Sequence, residues 1–92
     1  MRSNQPPAVH NKEALHRIHR IQGQLAALER QIEADEACEH LVIQTRAIEK
    51  AAASLIVHIF EDHLECQTRH LLEQDAEKAL QEIKRLCKLV CR

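Results

Sequence analysis

The stretch EACEHLVIQTRAIEKAAASLIVHIFEDHLEC, residues 36–66, decides the fold: it runs without glycine or proline and repeats its apolar residues at helical spacing. Leu41, Thr45, Ile48, Ala52, Leu55 and Ile59 recur at intervals of four and three, the stripe of an amphipathic α-helix. Cys38 stands near its start, and His63 and Cys66 stand near its end. At about 1.5 Å of rise per residue, His63 lies roughly 37 Å along the axis from Cys38. One straight helix cannot join them. Two copies running antiparallel can, because Cys38 of one then lies beside His63 and Cys66 of the other. The midpoint of that pairing falls near residue 51, where Ala51, Ala52, Ala53 and Ser54 form the longest run of small side chains. Small residues there let two helix backbones approach closely. The stretch therefore predicts a helical homodimer with two symmetric Cys/His sites, each shared between subunits.

Composition narrows the rest. Ninety-two residues allow one small domain, and with 45% hydrophobic content but Phe60 as the sole aromatic, its core must be aliphatic. One Gly and two Pro leave little material for turns or sheets, so the expected fold is all-α. Three helices of this length bury little on their own, which again points to an oligomer. The net charge of −1 supplies no bulk attraction to nucleic acid. Locally, Lys12, Arg17 and Arg20 oppose only Glu13, whereas the run from Glu29 to Glu39 is acidic. No signal peptide and no long apolar run are visible, so the expectation is a soluble, cytoplasmic protein with no membrane partner. Four cysteines in that compartment favour metal, redox or packing roles over a disulfide framework.

Taken in order, residues 1–10 read as a flexible arm, because Pro6-Pro7 blocks helix, and residues 11–92 as one helical domain. Asn11 is the expected N-cap of a first helix running to about Ala34, with Leu15, Ile18, Ile21, Leu25, Leu28 and Ile32 on its apolar face. Gly23 interrupts that helix and is expected to mark a close helix contact. Asp35 reads as the N-cap of the long central helix. That puts Cys38 at the third helical position, where free N–H groups favour negative charge while Glu36 and Glu39 repel it. The central helix is expected to end between His70 and Gln74. Asp75 then caps a third helix that turns Ala79, Leu80, Ile83, Leu86, Cys87 and Val90 inward.

Cys38, His63 and Cys66 are the main candidates for chemistry. Two thiolates and an imidazole suit Cu(I) in trigonal geometry, or Zn(II), Ni(II) or Co(II) with an added ligand. His10, His16 or His19 are candidate extra ligands, and Glu61, Asp62 and Glu65 are candidates to orient His63. The competing reading is that Cys38 and Cys66 pack as small hydrophobes and His63 is a surface residue. Cys87 and Cys91, at i,i+4 on the last helix, offer metal binding, oxidation or plain packing. There is no phosphate loop, nucleophile elbow or HExxH, so an enzyme is not expected. Nor is a helix-turn-helix.

The segment HRIHRIQGQLAALERQIEADEAC, followed after an interval by HLEC, closely resembles the CsoR/RcnR/FrmR family of metal- and aldehyde-responsive transcriptional repressors. The resemblance covers about residues 12–90, and its most specific parts are RIQGQ (Arg20 to Gln24) and the Cys38–His63 interval. It implies an all-α antiparallel dimer of three-helix subunits, assembled into a dimer-of-dimers tetramer that binds double-stranded operator DNA. It further implies that an effector at the Cys/His site releases the DNA. Cys38 and His63 match the family's two most diagnostic ligand positions. The third ligand usually lies four residues after that histidine, where this chain has Gln67; Cys66 is one position earlier. By analogy, DNA contacts come from Arg17 and Arg20 on the first helix and Arg46 and Lys50 on the second, neutralising phosphates.

The expected function is a DNA-binding repressor whose operator affinity falls when a transition metal binds Cys38, His63 and Cys66, with His10 as a candidate additional ligand. One alternative keeps the repressor but makes Cys38 a reactive thiol sensing formaldehyde or reactive sulfur. The formaldehyde-sensing relatives use an N-terminal proline, whereas Pro6 and Pro7 are internal here. An alternative of another class is a structural or metal-buffering helical oligomer.

Overall fold

The computed structural model describes residues 9–91, with side chains from residue 12 onward. It contains helices and no strand among the described residues: α1 (Val9–Glu33), α2 (Cys38–His63), a π-helical turn (Leu64–Thr68), α3 (Arg69–Gln74) and α4 (Ala76–Val90). α2, the π turn and α3 form one continuous rod, because the residues joining them keep right-handed helical angles. The expected three-helix, all-α subunit is therefore what forms, its long helix closing at Gln74.

α1 lies antiparallel on α2. Arg17 Nη1 donates to Ser54 Oγ at 3.0 Å, and Gln44 Nε2 donates to the Gln24 carbonyl at 3.3 Å, which fixes the register of the pair. α4 folds back along α3 and the π turn and reaches the end of α2. The result is a slab of 56 × 27 × 16 Å, as long as the α2–α3 rod and little thicker than a helix. Its radius of gyration is 17.5 Å, against about 12 Å for a compact domain of this length.

So thin a slab has almost no interior. Ala79 is the one fully buried apolar residue among those described, and Asp62 and Thr68 are the buried polar ones. α2 lays the row Leu41, Gln44, Ile48, Ala51, Leu55 and His58 against α1, while Val42, Ile43, Ile56, Val57 and Ile59 stay exposed. α1 is split in the same way, with Ile18, Ile21 and Leu28 half-buried and Leu15, Leu25 and Ile32 exposed. Each helix thus has more apolar face than one neighbour can cover.

Several expectations are corrected. α1 starts at Val9, so Asn11 lies inside the helix rather than capping it; the first eight residues of the expected arm lie outside the described residues. Asp35 is not the cap of α2. It sits at φ 61 and ends α1, with its N–H on the Ile32 carbonyl and the Glu36 N–H on the Gln31 carbonyl. That pair of bonds is a Schellman motif, which needs a left-handed residue where glycine is commonest and Asp is tolerated. α2 begins instead after Ala37, so Cys38 is its first residue rather than its third. Asp75 does cap α4: its side chain accepts the Lys78 N–H at 3.1 Å. On α4, Leu80 turns outward and Glu82 inward.

Gly23 marks no close contact within the chain, since an added Cβ meets nothing within 4 Å. Gly23→Ala is therefore expected to raise stability by about 1 kcal/mol. Asp35→Gly is expected to raise it by up to ~1 kcal/mol through relief of the left-handed backbone. Urea denaturation measures both. A destabilising Gly23→Ala would mean that a surface outside the chain comes close to that position.

Candidate metal centre and basic cleft

The two ends of α2 hold the candidate ligands apart. Cys38 is its first residue and is exposed; His63, its last, is half-buried. The 26 residues of α2 span about 37 Å between them. Among the described residues, no group of three or more His, Cys, Asp or Glu side chains within the chain is arranged to hold a metal.

At the far end of α2, the π turn sets the local geometry. The Arg69 N–H reaches back five residues to the Leu64 carbonyl, so one extra residue is wound into the helix. The winding swings Thr68 to the inside, where it is buried. Gln67, one turn after His63, lies in a cleft between α1 and α2 that His63 lines with Ile59, Asp62, Leu15 and Ile18. Cys66, half-buried in the same turn, does not line that cleft.

His63 is held from α4. Its Nε2 lies 3.0 Å from Glu82 Oε1, and Thr68 Oγ1 donates to the same oxygen at 3.1 Å. A carboxylate only accepts, so Nε2 carries the proton and donates, and a neutral His63 then presents the lone pair of Nδ1. Carboxylates commonly orient metal-binding histidines in this way. The hydrogen bond from His63 holds the Glu82 carboxyl below its ordinary value of 4.5, partial burial opposes that, and Thr68 and the charges of His63 and Arg85 add to it.

Glu82 was not singled out from the sequence, which pointed to Glu61, Asp62 and Glu65. A signal existed: Glu82 falls in the inner row Ala79, Glu82, Leu86 and Val90 of a helix otherwise apolar on that side. A carboxylate in such a row normally has a partner. Of the other histidines, His16 and His19 are exposed on α1, and the side chain of His10 lies outside the described residues. His40 Nδ1 is 3.1 Å from Glu36 Oε1, beside the start of α2, and His70 pairs with Gln74 at 3.2 Å.

The second site is basic. Arg17 and Arg20 of α1 converge with Lys50 of α2 on a cleft whose floor is Ala47 and Ala51 and whose other walls are Gln24 and Ser54. The alanines leave room, and the Ser54 hydroxyl anchors Arg17 across the two helices. Glu13 Oε1, 3.9 Å from Arg17 Nε, is the acidic neighbour. Three cations and two neutral polar groups around an open cleft suit a phosphate-sized anion. Arg46 does not line it. Its Nη1 bonds Glu49 Oε1 at 2.7 Å on the exposed side of α2, and that bond raises its pKa.

A family model described as metal-sensitive transcriptional repressor matches residues 10–92. The chain is 29% identical over 68 residues to the copper-sensing transcriptional repressor CsoR of Bacillus subtilis, covering 73% of this chain and 67% of that protein. It is 33% identical over 58 residues to the copper-sensing transcriptional repressor RicR of Mycobacterium tuberculosis, covering 62% of this chain and 60% of that one. No solved structure matches.

The lowered Glu82 value fixes the sign of a pH effect. The stabilisation it reports is present above the unfolded carboxyl value of 4.5 and is lost as pH falls through the lower folded value. Wild-type protein should therefore lose thermal stability on acidification below that range, and Glu82→Gln should flatten this loss. Identical acid profiles for the two would remove Glu82 from the network.

Proposed function

The chain belongs to the metal-sensitive transcriptional repressor family, and from that premise we propose that it binds operator DNA and releases it when a transition-metal ion occupies a Cys/His site shared between two copies. Members of the family are repressors rather than enzymes, so the chemistry sought is binding and its coupling.

The observation that most supports this reading is the length of α2. It separates Cys38 from His63 along a helix whose exposed Val42, Ile43, Ile56, Val57 and Ile59 have no cover within the chain. A second copy laid antiparallel along α2 covers that face and joins the two ends. Cys38 of one copy and His63 of the other then hold the ion, with Cys66 or Gln67 as the third position. A soft or borderline cation bound there supplies positive charge that displaces thiol protons and keeps the imidazole neutral. The ions that fit the donor set are Cu(I), Zn(II), Ni(II) and Co(II), and similarity to two copper-sensing repressors favours Cu(I).

DNA contact falls to the basic cleft, where Arg17, Arg20 and Lys50 neutralise phosphates, with Arg46 beside it once freed from Glu49. His63 keeps Nε2 on Glu82 and offers Nδ1, so its ring orientation is tied to α4 and to Thr68. Ser54, the partner of Arg17, lies on the same helix as His63. A shift of α2 that adjusts His63 also moves one wall of the basic cleft. Repeating the cleft in a dimer of dimers lets a chain of net charge −1 engage DNA.

Mixing experiments test the shared site. Neither Cys38→Ala nor His63→Ala protein should release DNA when metal is added, whereas co-refolded mixtures should regain part of the response. A mixture that never responds would overturn the shared geometry. Separately, Arg20→Ala should weaken operator binding and reduce the slope of log affinity against log salt by about one for each phosphate contact removed. An unchanged slope in fluorescence anisotropy would take Arg20 out of the DNA surface.

A further inference from the structure

We propose that Cys87 and Cys91, in the last turn of α4, form a second metal site: a dithiol that takes one two-coordinate thiophilic cation, Cu(I), independently of Cys38 and His63. The two cysteines stand one helical turn apart on the same side of α4. The Cys91 N–H bonds the Cys87 carbonyl at 3.0 Å, so the turn between them is closed even though Cys91, at φ −97 and ψ 32, has left the helical angles. Side chains at this spacing have Cβ atoms about 5–6 Å apart. That is wider than the roughly 3.5–4.5 Å of a disulfide. It suits a linear sulfur–metal–sulfur bridge, which spans about 4.6 Å if each bond is near 2.3 Å.

The surroundings select the kind of ion. Both thiols are free, with Cys87 half-buried and Cys91 exposed, so a solute can reach them. On α4 the carboxylates stand apart from the thiols: Glu77 lies ten residues before Cys87, and Glu82 is committed to His63 and Thr68. Two thiolates are soft donors that hard cations bind poorly, and Zn(II) finds two cysteine ligands where it wants four. Cu(I) is satisfied by two thiolates. On binding, two S–H bonds break, two S–Cu bonds form and two protons pass to solvent, with no change of oxidation state. The complex carries one negative charge. Lys84 and Lys88 form a parallel i,i+4 row beside the thiols that offsets it, and the carbonyl end of α4 favours the cation itself.

The test uses the full chain carrying Cys38→Ser and Cys66→Ser, reduced and anaerobic, titrated with Cu(I) against a competing Cu(I) chelator. One Cu(I) per chain is expected, lost in either Cys87→Ser or Cys91→Ser added singly, with helicity by circular dichroism unchanged. No retained Cu(I), or an ion that survives loss of either cysteine, would overturn the proposal, as would Zn(II) retained equally well. A parallel titration needs no altered sensor cysteines: wild-type protein should hold one more Cu(I) per chain than Cys87→Ser/Cys91→Ser, and equal stoichiometries would overturn the site. Because the extra ion is read as a difference at the end of α4, the outcome is separable from success or failure of the Cys38/His63 site.

Discussion

The structure depends on a mismatch between the length of one helix and the cover available to it. α2 and its continuation through α3 form a rod that sets the 56 Å length of the molecule. α1 and α4 each cover part of one side. Hydrophobic residues on the other side remain in water, and at about 25 cal/mol per Å² of apolar area their burial is the largest stabilisation still open to the chain. Cys38 and His63 mark the two ends of α2, and the basic cleft sits near its middle, so one helix contributes to both candidate sites.

Rigidity alone would carry a signal poorly. The rod is interrupted at the π turn, where one residue more than an α-helix needs is wound in and Thr68 donates to Glu82. Turns of this kind are frequently found at functional positions. Here it joins three helices: His63 closes α2, Arg69 opens α3, and Glu82 reaches in from α4. The best-buried of the described residues, Asp62, Thr68 and Ala79, all belong to this junction. The rest of the slab is held mainly by the α1–α2 hairpin.

How much of this was legible in the sequence varied with the physics. Helical periodicity located every long element, and the Asp75 cap was readable because a short carboxylate before an apolar-periodic run commonly opens a helix. Asp35 misled because the same short polar side chain serves two opposite purposes, opening a helix or closing one in the left-handed region, and only backbone bonds separate them. The π turn has no residue signature at all. Helical spacing puts both Cys66 and Gln67 about one turn from His63, and it is Gln67 that lines the His63 cleft. Arg17, Arg20 and Lys50 were expected together from a family resemblance and do converge, while Arg46 spends its guanidinium on Glu49. Glu82 was missed because a charged residue in an amphipathic helix is ordinarily assigned to solvent.

The thinness of the slab has a bearing on turnover. In the proposed assembly the chain completes its core by meeting a copy of itself, and its folded fraction would then depend on its own concentration. Freshly made or diluted chains are then the ones that open and meet proteases, while assembled ones are spared. The working pool of repressor would in that way hold a lower limit on its size, below which it clears itself rather than lingering as single chains with half a binding surface.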